Sequence, residues 1–187
     1  MDVDYLKKCG KIVTFKNGEA ICHEGETGHS MYVLLKGMVE ITIDSFSDMP
    51  KSLGLVSEGS FFGEMSLLEK KPRSATIISR SDDCVALEVS EDDFSMLLLH
   101  ATSITFRLLL SLNSRLNDML DRIELNDKKY VFKYKRNPLY GTIQKMDVRT
   151  FDQIAKKDAD YVWELLKYLS SSLEKLNREY IKQSKDQ

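Results

Sequence analysis

Hydrophobic and polar positions along this chain follow two periods, and the change falls near residue 90. Up to that point the apolar positions come in short β-rich runs. These are Ile12-Val13-Thr14-Phe15, Ala20-Ile21-Cys22, Met31-Tyr32-Val33-Leu34-Leu35, Val39-Glu40-Ile41-Thr42-Ile43, Leu53-Gly54-Leu55-Val56, Ala75-Thr76-Ile77-Ile78 and Cys84-Val85-Ala86-Leu87-Glu88-Val89. Turn signals separate them: Asn17-Gly18, Gly25, Gly28, Lys36-Gly37, Glu58-Gly59 and Ser81-Asp82-Asp83. Short strands at even spacing predict an antiparallel sandwich or barrel. Asn17-Gly18 and Lys36-Gly37 stand where positive φ closes a tight hairpin. Residues 44–52, with Ser45, Ser47, Asp48 and Pro50, read as a surface loop.

From Ser90 the period becomes helical. Ser90-Glu91-Asp92-Asp93 is an acidic helix start with Ser90 as N-cap. Leu97, Ala101, Ile104, Leu108, Leu112, Leu116, Met119 and Ile123 then recur at steps of three and four, which predicts one helix of about seven or eight turns. Leu98, Leu99, Phe106, Leu109 and Leu110 add a second apolar face. A small barrel cannot cover both faces, so the helix 94–123 is expected to pair with its copy in a homodimer.

Residues 128–146 are irregular and basic and read as a linker or small hairpin, with alternation over Tyr130 to Tyr134. Thr150-x-x-Gln153 has the form of a capping box. A second helical stripe follows at Ile154, Val162, Leu165, Leu169, Leu173, Leu176 and Tyr180. It serves either as another self-association seam or as packing on the core.

Composition refines this picture without changing it. The 187 residues are 42% hydrophobic and 30% charged, as expected of a globular chain. No apolar run approaches the ~20 residues of a membrane span. Met1-Asp2-Val3-Asp4 lacks the basic-then-apolar order of a signal peptide, so a cytoplasmic location is expected. Cys9, Cys22 and Cys84 are odd in number and scattered, as are His23, His29 and His100. No disulfide framework, metal site or catalytic constellation is expected from them. Charge divides the chain. Residues 1–127 carry 13 basic and 21 acidic side chains, or −8, and residues 128–187 carry 14 and 8, or +6. Two functional parts, 1–127 and 128–187, follow from this asymmetry.

The candidate chemistry lies in Phe61 to Thr76, F-F-G-E-M-S-L-L-E-K-K-P-R-S-A-T. Gly63 lets the backbone approach a ligand, and the amides of Gly63, Glu64 and Met65 open a short helix whose dipole favours an anion. Arg73 offers a planar, permanently charged fork for phosphate oxygens. Ser74 adds a hydroxyl, and Glu64 suits a sugar hydroxyl as acceptor. Taken singly, Glu64 or Arg73 reads better as a member of a structural ion pair; the spacing of the full set, at the end of a β-rich run, favours a site for a cyclic phosphodiester.

These residues resemble the cyclic-nucleotide-binding domain. That module is shared by catabolite-activator-type bacterial regulators, protein-kinase regulatory subunits and nucleotide-gated channels. Gly25, Gly37, Gly59 and Gly63 fall at its turn glycines, and Phe62 to Leu68 with Pro72 to Thr76 match its phosphate-binding cassette. Over residues of about 5–125 the resemblance implies an eight-stranded antiparallel β-roll (jelly-roll-like), mainly β plus α. Flanking helices, a long helix after the roll and a helical C-terminal segment complete the expected fold. It implies that Glu64 takes the ribose 2′-hydroxyl and Arg73 the cyclic phosphate. Phe62, Gly63, Met65, Ser66, Ser74 and Ala75 complete the cassette, and Ile41 and Leu53 line the ribose and base side. Asn117, Asp118 or Arg122 would reach the base. The implied ligand is cyclic AMP in preference to cyclic GMP, with no cofactor. The tail departs from the bacterial regulators, because one long helix is expected where they carry a winged helix-turn-helix. The expected role is a non-enzymatic sensor acting on a protein partner through the C-terminal helix; the alternative is a transcription regulator with a reduced DNA-binding tail.

Overall fold

The computed structural model describes residues 9–43, 50–123 and 138–185. The alternation at Tyr130 to Tyr134 and most of the loop at 44–52 lie outside these. The chain forms two compact units, Met1–Leu97 and Leu98–Gln187. Their boundary precedes the change of charge balance at residue 127.

The first unit holds eight strands: β1 (Lys11–Phe15), β2 (Ala20–Cys22), β3 (Ser30–Lys36), β4 (Met38–Ile43), β5 (Lys51–Ser57), β6 (Phe61–Phe62), β7 (Thr76–Ser79) and β8 (Cys84–Ser90). They form two antiparallel sheets, ordered β1-β8-β3-β6 and β2-β7-β4-β5. This is the expected roll. Each predicted run lies in a strand apart from its edge residues, whereas the two-residue β6 has no run of its own. Lys51 and Ser52, read as loop, belong to β5 and pair with Ile43 and Thr42. Inward-facing Tyr32, Leu34, Val39, Phe62, Ile77 and Ala86 build the core between the sheets, with Cys22 and Cys84 among them. Gly37 turns β3 into β4 with φ 94°, and a Cβ there would lie 3.1 Å from the Cys84 backbone. Helix α1 (Glu64–Glu69) follows β6.

Ser90 caps helix α2 (Glu91–His100) as expected: its hydroxyl accepts from the Asp93 amide at 3.2 Å and donates to the Asp93 carboxylate at 2.7 Å. The single long helix is corrected to two, α2 and α3 (Thr102–Arg122), broken at Ala101 with φ −128° and ψ 49°. Thr102 and Ser103 follow the break, and such residues compete with helix continuation through their hydroxyls. The Thr102 hydroxyl instead donates to Asp152 at 2.7 Å.

The second unit adds α4 (Pro138–Lys145), α5 (Val148–Lys157) and α6 (Ala159–Lys185). Residues 138–145 are thus helical, not linker. The cap of α5 is Asp147, which accepts from the Thr150 amide at 2.7 Å, so the capping box at Thr150 is displaced by one closer to the true start. Hydrogen bonds from Thr150 hold the Asp147 carboxyl below its ordinary range. The long C-terminal helix is likewise two. Asp158 ends α5 and accepts from the Tyr161 amide at 2.9 Å to start α6. Helices α4, α5 and α6 all pack on α3. They bury Leu108, Leu109, Leu112, Leu116, Met119 and Ile123, and Phe106 meets Phe151 with ring centroids 5.2 Å apart. The stripe at Val162, Leu165, Leu169, Leu173 and Leu176 is buried too. Much of the apolar area that argued for a second subunit is therefore covered within one chain, while Leu110 stays 36% exposed. Lys156 pairs with Asp152 at 2.7 Å on an exposed helix face. No single helix among the described residues is long and apolar enough to cross a membrane.

Candidate functional site

The site begins where β6 stops. Gly63 has φ 70° and ψ 4°, left-handed values that let the chain turn straight into α1, and no side chain caps that helix. Lys70 ends α1 in the same region, with φ 53°. The chain then returns past Pro72, which bridges Thr27. The Arg73 amide donates to the Glu26 carbonyl at 2.7 Å, and the Gly25 amide donates to the Arg73 carbonyl at 2.9 Å. Arg73 is thereby fixed at its backbone on the turn before β3, with its side chain aimed back at Gly63.

Arg73 is buried, 7% exposed as a residue. Nη1 donates to the Ser30 carbonyl at 2.6 Å, the Gly63 carbonyl at 2.7 Å and the Ser66 hydroxyl at 2.7 Å. Nη2 donates to the Ser30 hydroxyl at 3.2 Å. The Tyr32 ring lies beneath, its centroid 5.7 Å from Cζ, within cation–π range. An arginine has five N–H donors. Three acceptors more than occupy the two on Nη1, and Ser30 takes one on Nη2. Among the described residues no acceptor takes the Nε hydrogen or the second Nη2 hydrogen. Those two point along one edge and suit two oxygens of a phosphate.

Of the residues expected at the site, Gly63, Ser66 and Arg73 meet directly. Glu64 and Met65 open α1 beside them, 1% and 7% exposed. Ser74 is exposed, and its hydroxyl donates to Met65 Sδ at 3.5 Å. Ala75 is buried, and its carbonyl accepts from the Cys22 thiol at 4.0 Å. Burial pushes that thiol up from its ordinary range, with the charge of Arg73 opposing the shift. Phe62 is fully buried and stacked on Tyr32, with centroids 5.1 Å apart. Its side chain fills the core. Ile41 and Leu53 lie half-buried on β4 and β5 of the other sheet. Asn117 and Asp118 belong to the second unit, where the Asn117 amide donates to the Asn113 carbonyl on its own helix at 3.2 Å. The Arg122 side chain lies outside the described ones.

Sequence reasoning missed Gly28, Ser30, Tyr32 and Glu88. The Tyr32 hydroxyl donates to Glu88 Oε1 at 3.1 Å, and the Ser30 hydroxyl donates to the same oxygen at 3.2 Å. Burial, with the Glu88 charge adding to it, pushes the Tyr32 phenol up. Gly28 had a signal, since it sits in a glycine-bearing turn. A Cβ there would lie 2.3 Å from Arg73 Nε and 2.5 Å from Cζ. We therefore expect Gly28→Ala to fold but to displace the guanidinium, weakening anion binding at least about tenfold, the loss of one charged hydrogen bond. Calorimetry beside a melting curve checks this; an unchanged affinity would show that the guanidinium position is irrelevant.

Residues 12–101 match the cyclic nucleotide-binding domain family. Similar curated proteins include Rap guanine nucleotide exchange factor 1 of Caenorhabditis elegans, 34% identical over 91 residues, covering 49% of this chain and 8% of the relative. Human cGMP-dependent protein kinase 2 is 31% identical over 88 residues, covering 46% of this chain and 12% of the kinase. The match thus spans about a tenth of the length of these relatives. A solved cyclic nucleotide-binding domain from Methylobacillus flagellatus is 26% identical, with a TM-score of 0.56 over 65% of this chain and 70% of that one. Its agreement with the roll, and the fall of Gly63 and Arg73 inside the matched stretch, lead to one conclusion: residues 12–101 are a domain of the cyclic nucleotide-binding family.

Proposed function

We propose that this chain is a non-enzymatic sensor of a cyclic purine mononucleotide, with cyclic AMP as the first candidate and cyclic GMP as the second. One observation carries the reading. The buried Arg73 side chain, anchored through Nη1 and through one Nη2 hydrogen, keeps on its Nε–Nη2 edge the Nε hydrogen and the second Nη2 hydrogen without a protein acceptor among the described residues, ten residues downstream of the Gly63 turn. That edge binds the cyclic phosphate. Glu64, held at the start of α1, takes the ribose 2′-hydroxyl, while Met65, Ser66, Ser74 and Ala75 shape the cassette around it. Ile41 and Leu53 offer apolar surface toward the base. Helix α2 begins where β8 ends and runs across residue 97, where the compact units divide. It is the covalent route by which binding in residues 1–97 reaches the C-terminal helices and a protein partner. Ligand acts by population shift, which requires different affinities in the two states.

Calorimetric titration with cyclic AMP and cyclic GMP tests this. Saturable heat with a micromolar or tighter Kd for at least one is expected, and absence for both overturns the sensor reading. The ratio of the two affinities identifies the base, and light scattering on the same sample gives the subunit count. A second reading has one observation in its favour: α4 and α5 are two short helices in succession, joined by Met146 and Asp147. Helix-turn-helix tails are built from elements of this kind, though with a longer turn of about three or four residues. A regulator of that kind would bind duplex DNA with a steep dependence on salt.

A further inference from the structure

Ser30 contacts Arg73 twice. Its carbonyl accepts from Nη1 at 2.6 Å and its hydroxyl accepts from Nη2 at 3.2 Å. One residue thus occupies the end-on edge of the guanidinium, Nη1 with Nη2. The side-on edge, Nε with Nη2, is the one left for a ligand. A serine hydroxyl has one hydrogen and two lone pairs. It offers a lone pair to Arg73 only when its hydrogen points elsewhere. Two acceptors lie within reach of that hydrogen, Glu88 Oε1 at 3.2 Å and the Tyr32 hydroxyl at 3.4 Å. The carboxylate oxygen is the nearer and the stronger acceptor, and the Tyr32 hydroxyl itself donates to it at 3.1 Å. Ser30, Tyr32 and Glu88 are brought together by the β3–β8 register, in which Tyr32 stands opposite Glu88 and Ser30 opposite Ser90.

We propose that Ser30 and Glu88 are positioning residues for Arg73: Glu88 orients the Ser30 hydroxyl, and Ser30 clamps one edge of the guanidinium so that the other edge faces the ligand. Glu88 does not touch the ligand in this arrangement. What it contributes is an acceptor, so a neutral amide oxygen in its place serves nearly as well. This rests on the reading of Arg73 as the phosphate-binding residue.

The test uses the full chain and four variants, Ser30→Ala, Ser30→Thr, Glu88→Ala and Glu88→Gln. The first readout needs no ligand: nitrogen-15 NMR of the Arg73 guanidinium, assigned by its loss in Arg73→Lys. Wild type is expected to give resolved, slowly rotating Nη signals. They should persist in Ser30→Thr and Glu88→Gln and collapse in Ser30→Ala and Glu88→Ala. The second readout is the affinity for whichever cyclic nucleotide binds. Ser30→Ala and Glu88→Ala should lose about tenfold, the order expected for a hydrogen bond to a charged group. Ser30→Thr and Glu88→Gln should stay within about twofold. Should Glu88→Gln behave like Glu88→Ala, the charge and not the acceptor matters and the proposal is wrong. It is equally wrong if both alanine variants keep slow Nη signals. Should wild type bind neither nucleotide, the sensor reading falls, while the NMR comparison still judges the clamp. The conservative variants keep the test decisive if an alanine variant does not fold.

Discussion

Arg73→Ala is expected to lose about 2–5 kcal/mol of cyclic-nucleotide affinity, the usual cost of truncating one member of a buried charged pair. Two separate effects contribute. The anion loses its cation, and the Ser30 carbonyl, Gly63 carbonyl and Ser66 hydroxyl lose the Nη1 donor they share. The second effect lowers stability as well as affinity, because a buried acceptor deprived of its donor costs about 1–3 kcal/mol. Arg73→Lys separates the two. Lysine keeps the charge but cannot serve carbonyl anchors on one edge and an anion on the other. Its affinity should therefore lie much closer to that of Arg73→Ala than to wild type. Calorimetry for each variant, with a thermal melt beside it, makes the comparison. Wild-type affinity in Arg73→Lys would mean that only net charge matters and that the geometry of the fork does not. Wild-type affinity in Arg73→Ala would move the phosphate elsewhere.

Phe62→Ala is the counterpart for stability, with an expected loss of about 3–5 kcal/mol, the range for emptying a buried phenylalanine site. Phe62 is 0% exposed, at the centre of the core between the sheets, stacked on Tyr32. Tyr32 in turn lies under Arg73 and bonds to Glu88, so a cavity at Phe62 loosens the floor of the cassette. Phe62→Leu refills much of the volume and should cost less. Urea titrations measure both, reading the transition of the β-roll. A loss below about 1 kcal/mol, with affinity abolished, would return Phe62 to the ligand surface that the cassette resemblance implies.

Both predictions fall in the segment most easily read from sequence, for a physical reason. Gly63 and Arg73 are ten positions apart, and the turn glycine, short helix and returning arginine are contiguous signals. The strands were legible because β-branched runs end at glycines with positive φ, as at Gly18 and Gly37. Strand β6 was not, since two residues carry no period. The breaks at Ala101 and Asp158 each rest on a single residue inside an unbroken apolar stripe, and the stripe dominates the sequence pattern. Helix α4 was hidden by Pro138 and Gly141, residues that ordinarily mark loops, although proline is well suited to the first turn of a helix. The clamp was invisible for another reason. Ser30 and Arg73 are 43 positions apart and Ser30 and Glu88 are 58 apart; only strand register unites them.

A guanidinium grasped on one side by neutral acceptors keeps its single positive charge but has only one edge of donors left. It can match a singly charged diester, whose two exocyclic oxygens span one edge, but it has little left for a polyanion. Abundant triphosphates would bring three or more negative charges to a place that also holds the carboxylates of Glu64 and Glu88 nearby. On the proposed reading, the clamp on Arg73 would also act as a filter, favouring a cyclic diester over the larger pool of ordinary nucleotides.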